Sequence, residues 1–191
     1  LDGAATVETL IKAAADNNMP AVALTDHGVM FGAIEFYKKA KKKNIKPIIG
    51  CEVYILTKGS RFNRSKERDD GNDLLVSDGK ARKKRDYHHL ILLCKDITGY
   101  KNLIKLVTLG HTEGYYYKPR IDFDLLTKYH EGLVCLSACA GGVVANPLIN
   151  GDYDEAKEVA TMYKDLFGDD FYLEIQDHGI PAEKIVLRDM P

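Results

Sequence analysis

The fold of this protein is decided by the stretch PIIGCEVYIL, residues 47–56. Its apolar residues follow one another with hardly any alternation, which predicts a strand covered on both faces. Such strands are typical of α/β proteins, in which helices pack on both sides of a sheet. Glu52 is the one charged residue in this stretch. Because a buried carboxylate is costly unless something positive meets it, Glu52 predicts a nearby metal ion or an arginine.

On either side of this stretch, strand and helix patterns alternate. Apolar runs predict further strands at residues 21–24, 89–94, 133–136 and 171–176. Helical periodicity predicts a helix capped by Thr6, a second helix over residues 29–43, and others over 98–110, before 132, over 154–167 and after 181. The second helix is expected to bury Phe31, Ile34, Phe36 and Tyr37. The alternation indicates βα units and a mainly parallel sheet, either open or closed into a barrel.

Length and composition narrow the class of protein. The 191 residues suit one domain, and 45% hydrophobic with 29% charged residues excludes an intrinsically disordered chain. A net charge of -1 argues against non-specific nucleic-acid binding by overall charge, so such contacts must be local. The longest apolar runs have about six residues, far fewer than a membrane span needs. The residues that follow Leu1 lack the basic start and the apolar region of a signal peptide. Four scattered cysteines predict a reduced, cytoplasmic setting without membrane contact.

One highly charged segment, residues 58–86, interrupts the pattern of strands and helices. Its composition predicts a mobile surface excursion between two core strands. Two interpretations stay open for it. It is a solvated loop, or it is a basic finger that binds nucleic-acid phosphates. The finger would use Arg61, Arg64, Lys66, Arg68 and Lys80, and above all Arg82, Lys83, Lys84 and Arg85.

Metal-ligand residue types collect where predicted strands end. Functional groups of α/β sheets gather at these carboxyl ends. Histidine and cysteine each have an ordinary interpretation there, as a hydrogen-bonded loop residue or a small packed side chain. The mixture of imidazole, carboxylate and thiol suits zinc, or zinc with manganese, rather than calcium. The residues concerned are Asp26, His27, Cys139 and His178 after predicted strands, with Glu52 and Glu174 inside them.

Seven runs of sequence, in order and over nearly the whole chain, resemble one family. They are residues 1–4 (LDGA), 20–28 (PAVALTDHG), 46–54 (KPIIGCEVY), 89–93 (HLILL), 98–103 (TGYKNL), 132–139 (GLVCLSAC) and 172–179 (YLEIQDHG). Together they resemble the PHP (polymerase and histidinol-phosphatase) domain of bacterial DNA polymerase III alpha subunits. The resemblance implies a distorted (β/α)7 TIM-like barrel.

The resemblance also implies a divalent metal cluster, of zinc and/or manganese, with magnesium as a further option. Its ligands would be Asp2, His27, Glu52, His89 and Cys139, with His88 as the alternative to His89. Asp26, Glu174 and His178 would lie near the site. A parallel strand would put His89 at the wrong end of the sheet. Either that strand is reversed, or the charged excursion carries His89 back over the site.

Two family elements are missing from residues 1–191. PHP domains of this kind have a His-x-His element before the LDGA run and an Asp-x-His element after a further strand. The chain has no His-x-His, and its one Asp-x-His, residues 86–88, lies elsewhere in the order. We therefore expect residues 1–191 to be one PHP domain that is incomplete at both ends.

The family implies metal-dependent hydrolysis of phosphoesters by an activated water. In a replicative polymerase this activity would be 3′–5′ exonuclease proofreading, with DNA as substrate and the other domains of the alpha subunit as partners. The alternative is a non-catalytic scaffold that stabilises the polymerase and docks a separate proofreading exonuclease subunit. A free-standing phosphatase for a small phosphomonoester is the third hypothesis.

Overall fold

The structure is a computed structural model that describes residues 3–64 and 87–190. Seven strands and seven helices follow one another in these residues, with a short 3₁₀ turn at Gly168–Asp170. In chain order they are α1 (Val7–Asp16), β1 (Ala21–Leu24), α2 (Ala33–Lys42), β2 (Lys46–Leu56), β3 (His88–Cys94), α3 (Ile97–Thr112), β4 (Tyr115–Tyr116), β5 (Lys118–Asp122), α4 (Phe123–Lys128), β6 (Leu133–Leu136), α5 (Ala145–Ile149), α6 (Tyr153–Phe167), β7 (Phe171–Tyr172) and α7 (Pro181–Asp189).

Strand β2 is the centre of one mixed sheet, in the order β4-β5-β2-β3-β6-β7. On one edge β2 pairs in parallel with β1 through its first residues and with β5 through its last. On its other edge it pairs with β3, which is antiparallel to both β2 and β6. The α/β class is confirmed. The closed barrel is not: within residues 3–64 and 87–190 the sheet stays open, and it is mixed rather than mainly parallel.

The direction of β3 decides where His89 lies. In the antiparallel register Gly50 faces Leu93 and Tyr54 faces His89. The start of β3 therefore lies beside the carboxyl end of β2. Of the two alternatives for bringing His89 to the site, strand reversal is the one that the structure has.

Helix α2 packs with a different face from the one expected. It begins at Ala33, and its buried residues Ala33, Phe36 and Ala40 are spaced i, i+3 and i+7. Phe36 packs with Ile11 and other residues of α1 in a small satellite core. The predicted burial of Phe31, Ile34 and Tyr37 is therefore wrong, since all three are exposed and only Phe36 is in the core.

Other boundaries follow the sequence patterns closely. Thr6 caps α1 by accepting the Thr9 N–H, and α6 ends at Phe167, followed by Gly168 with a φ of +57°. Strand β7 is shorter than predicted. After Tyr172 accepts the Ser137 N–H, the Glu174 N–H donates to the Ser137 side chain instead of continuing the ladder. The hairpin of β4 and β5 and the short α5 were not predicted.

The beginning of the charged segment is fastened to the sheet. Arg61 donates its backbone N–H and its guanidinium to the buried carboxylate of Asp122, and its Nε to Glu113 at 2.7 Å. Arg120, which is buried, donates to the Arg61 and Asn63 carbonyls. Arg61 is thus an internal anchor and not a free phosphate-binding group of the proposed finger. Arg64 is described and exposed, and its role in phosphate binding stays a prediction. The other members of the finger, in residues 65–86, lie outside the described residues.

Within the described residues, no helix is both long and apolar enough to cross a membrane.

Candidate metal centre

His27 is placed by a short extension of the pairing between β1 and β2. Beyond the end of β1, the Glu52 N–H donates to the Asp26 carbonyl at 3.1 Å, and the Gly28 N–H donates to the Glu52 carbonyl at 2.8 Å. This bridge brings His27 directly beside Glu52. Gly28 has φ +66° and fits tightly, since a Cβ there would lie 2.8 Å from Cγ of Pro119. The turn therefore requires glycine.

Glu52 lies between two histidines. Its Oε1 is 3.1 Å from His27 Nδ1 and 2.9 Å from His89 Nδ1. This oxygen is buried, and neither histidine contact has the geometry of a hydrogen bond. A buried carboxylate oxygen without a hydrogen bond is costly, and a cation is the kind of partner that offsets the cost.

Cys139 is held beside His89 by the loop after β6. Its Sγ lies 3.4 Å from His89 Nδ1 and accepts the Gly141 N–H at 3.4 Å. The loop curls so tightly that a Cβ on Gly142 would lie 2.0 Å from the Ser137 carbonyl oxygen. The same loop bonds β3, because the His89 N–H donates to the Gly141 carbonyl. Small residues here thus allow the sulfur and the imidazole to meet.

The contacts of His89 favour its charged form. Burial by itself lowers the pKa of His89, but the contacts with Cys139 and with the Glu52 carboxylate outweigh burial and raise that pKa to about 9. Cys51 differs from Cys139. Its Sγ donates to the Asp26 carbonyl at 3.3 Å, and burial raises the pKa of its thiol to about 12. Cys51 is therefore a protonated packing residue.

The four side chains form a line of contacts, from His27 through Glu52 and His89 to Cys139. Across residues 3–64 and 87–190, no group of three or more histidine, cysteine, aspartate or glutamate side chains surrounds one metal position. The chemistry of the donors nevertheless fits a divalent ion. Two imidazoles, a carboxylate and a thiol are ligands that zinc prefers, and the buried Oε1 of Glu52 accepts no hydrogen bond.

The remaining candidates lie apart from this line of contacts. His88 precedes His89 in β3, so its side chain points to the opposite face of the sheet. The Glu174 carboxylate accepts Nε2 of Gln176, and His178 pairs with Glu183 at 2.9 Å, a hydrogen bond that raises the pKa of His178.

The position of Asp26 is defined mainly by its backbone, which bonds Glu52, while its Oδ2 lies towards Gly32 at the start of α2. Asp2 lies outside the described residues, as does the basic set Arg82, Lys83, Lys84 and Arg85. Their roles, and the expected missing elements, stay predictions.

Two neighbours of the centre were not predicted from the sequence. The Tyr54 ring meets the His89 ring edge-on, with centroids 5.5 Å apart. His111 Nε2 lies 2.9 Å from the Gly28 carbonyl oxygen, which supports the turn that carries His27. Alternation along β2 could have indicated Tyr54, since it lies two residues from Glu52 and shares its face. No sequence pattern within α3 predicts this role for His111.

Comparison with known proteins identifies the family of this chain. The family model described as "PHP domain" matches residues 1–178. The chain belongs to the PHP domain family. Relatives of this PHP domain include the DNA polymerase III subunit alpha of Borreliella burgdorferi, 48% identical over 186 residues, which cover 97% of this chain and 15% of that protein. The same subunit from Chlamydia trachomatis is 46% identical over 98% of this chain and 14% of its own length. That from Aquifex aeolicus is 45% identical over 100% of this chain and 16% of its own length.

The PHP domain described here therefore spans about 15% of the length of the curated relatives that it matches.

Proposed function

We propose that this PHP domain is part of a bacterial DNA polymerase III alpha subunit and hydrolyses phosphodiester bonds at the 3′ end of DNA with divalent metal ions. The observation that carries the proposal is the buried Glu52 oxygen, which lacks a hydrogen bond and lies within 3.1 Å of the imidazoles of His27 and His89. Cys139 completes the set beside His89. Zinc or manganese suits these donors, with magnesium as the harder alternative.

Each of these residues would have a different role in such a site. When bound, divalent ions supply an acidified water and neutralise charge on the attacked phosphate. Glu52 would hold an ion with its buried Oε1, and His27, with its side chain 43% exposed, would form the side of the site that is open to substrate. His89 can act as a ligand only after losing the proton that its contacts favour. The Gly141 N–H would orient the Cys139 sulfur.

DNA is proposed as the substrate because of what the relatives are. All three relatives named above are DNA polymerase III alpha subunits, and the alignments cover almost all of this chain. By that likeness, the partners would be DNA and the other domains of the polymerase, and the location would be the cytoplasm. A 3′–5′ exonuclease for proofreading is the phosphoesterase activity that serves a replicative polymerase directly.

One observation favours the scaffold instead. With its pKa raised to about 9, His89 is a cation at neutral pH, and it lies between the Glu52 carboxylate and the Cys139 sulfur. Such a network stabilises the fold without any metal. A domain built in this way would dock a separate exonuclease subunit and need no turnover of its own.

The test compares Glu52→Ala with wild type in the full-length protein that contains this chain. Metal content is measured by elemental analysis, and 3′–5′ hydrolysis is measured on 3′-labelled DNA with and without chelator. We expect bound divalent metal and chelator-sensitive hydrolysis in wild type, and the loss of both together in the variant. The control is Glu131→Ala, which removes an exposed carboxylate.

The two functions give different outcomes. Unchanged metal content in Glu52→Ala would remove Glu52 from the ligand set. Wild-type protein with bound metal and no hydrolysis, or with neither, would favour the scaffold.

A further inference from the structure

The hairpin of β4 and β5 presents aromatic rings to solvent next to the candidate metal centre. It carries three successive tyrosines, of which Tyr115 and Tyr117 are both 54% exposed. Tyr117 forms the tip and has φ +58°, a conformation that a bulky residue seldom adopts. Tyr116 differs, since its ring is half-buried and lies 5.1 Å from the guanidinium of Arg120. Two of the three rings thus contribute little to the core.

The base of the hairpin is joined to the turn that carries His27. Pro119, from β5, packs so closely on Gly28 that a Cβ at Gly28 would lie 2.8 Å from Cγ of Pro119. His111, which bonds the Gly28 carbonyl, lies parallel to the Tyr115 ring with centroids 6.3 Å apart. Tyr115 is therefore separated from the turn by a single side chain.

The second connection runs through Tyr54. Lys118 Nζ lies 5.1 Å from the centre of the Tyr54 ring, and that ring meets His89 edge-on at 5.5 Å. The Tyr54 ring therefore links the cation of the hairpin to His89, one of the proposed ligands. A lysine near a metal centre is the kind of group that neutralises a backbone phosphate of bound DNA.

We propose that this hairpin binds the single-stranded 3′ segment of the DNA substrate, and this inference rests on the nuclease function proposed above. Bases would stack on Tyr115 and Tyr117, and Lys118 would contact the backbone phosphate. Every base has a π-face, so tyrosines of this kind hold single strands without regard to sequence, as a proofreading site requires. Because the net charge of -1 does not attract DNA by itself, the contact with DNA must be local, and Lys118 supplies such a contact.

The experiment uses the full-length protein that contains this chain. A single-stranded oligothymidylate with 5-iododeoxyuridine at its 3′ end is irradiated in its presence, and the crosslinked peptide is identified by mass spectrometry. We expect the crosslink within residues 115–117. On 3′-labelled DNA, Tyr115→Ala and Tyr117→Ala should each raise KM by about 5- to 100-fold with little change in kcat.

Three controls separate stacking from a loss of folding. Tyr115→Phe and Tyr117→Phe keep the ring and should keep the wild-type KM. Tyr37→Ala removes an exposed tyrosine on the outer face of α2, whose ring centre lies 5.9 Å from Lys41 Nζ. This variant should keep the wild-type KM. Lys118→Met should reduce the slope of log affinity against log salt by about 0.7.

The outcomes for the hairpin and for the metal centre are distinct. Hydrolysis that depends on Glu52, with no crosslink at the hairpin and an unchanged KM in both alanine variants, would overturn the hairpin proposal alone. A crosslink at residues 115–117 without hydrolysis would support strand binding and overturn the nuclease function. Equal losses in the phenylalanine and alanine variants would also overturn stacking.

Discussion

The contact between Glu52 and His89 allows a direct test of the centre in the metal-free chain. Glu52→Gln keeps the size of the side chain and removes its charge. In the wild type the pKa of His89 is about 9, against 6.5 for an unperturbed histidine. Each pKa unit corresponds to about 1.4 kcal/mol, so the contacts of His89 favour its protonated form by roughly 3 kcal/mol after the cost of burial.

The variant should lower this pKa well below 9. Burial, which opposes protonation, is unchanged in Glu52→Gln, while one of the two groups that favour the imidazolium is lost. The assay is an NMR titration of the histidine ring C–H signals in chelator-treated protein. The His89 signal is assigned with His89→Asn, and Glu131→Gln is the matched control.

Stability should follow the same titration. Because the folded pKa of His89 lies above its unfolded value, the stabilisation is fully present below pH 6.5 and is lost as pH rises through 9. The free energy of unfolding, measured in urea with chelator, should fall by up to about 3 kcal/mol across that window in wild type, and by less in Glu52→Gln. Identical His89 titration curves in wild type and Glu52→Gln would refute this account of the centre.

Three further predictions concern residues other than the proposed metal ligands. Gly28→Ala should destabilise the fold by about 1–3 kcal/mol, because φ is +66° and the new methyl group would meet Pro119. It should also lower the metal content, and a variant with wild-type metal content and stability would contradict this. Asp122→Ala removes the side-chain cap of α4 and the partner of Arg61, so the free energy of unfolding in urea should fall by about 3 kcal/mol. Glu113→Ala should lower it much less, and equal losses in the two variants would contradict this. Replacing residues 82–85 by alanine should weaken DNA binding and flatten its salt dependence, and an unaltered slope would return this segment to the solvated-loop interpretation.

Much of the secondary structure could be predicted because the signals are local. The apolar run of β2, the Thr6 cap and the Gly168 terminus are each set by neighbouring residues. The hairpin of β4 and β5 was missed because its strands are two and five residues long and have no alternating pattern. The buried face of α2 was misassigned because Phe31 precedes the helix and because the packing of Phe36 and Ala40 against α1 selects the inner face.

The sequence alone determined the α/β class, the family resemblance and the conflict posed by Glu52, a carboxylate inside an apolar strand. These depend on residue types and their order along the chain. Tertiary structure decided the direction of β3, and with it the meeting of His89, Glu52 and Cys139. It also made Arg61 an internal anchor through Asp122, sixty-one residues away. Such contacts join residues that are distant in sequence, so only the pairing of strands and the packing of loops can set them.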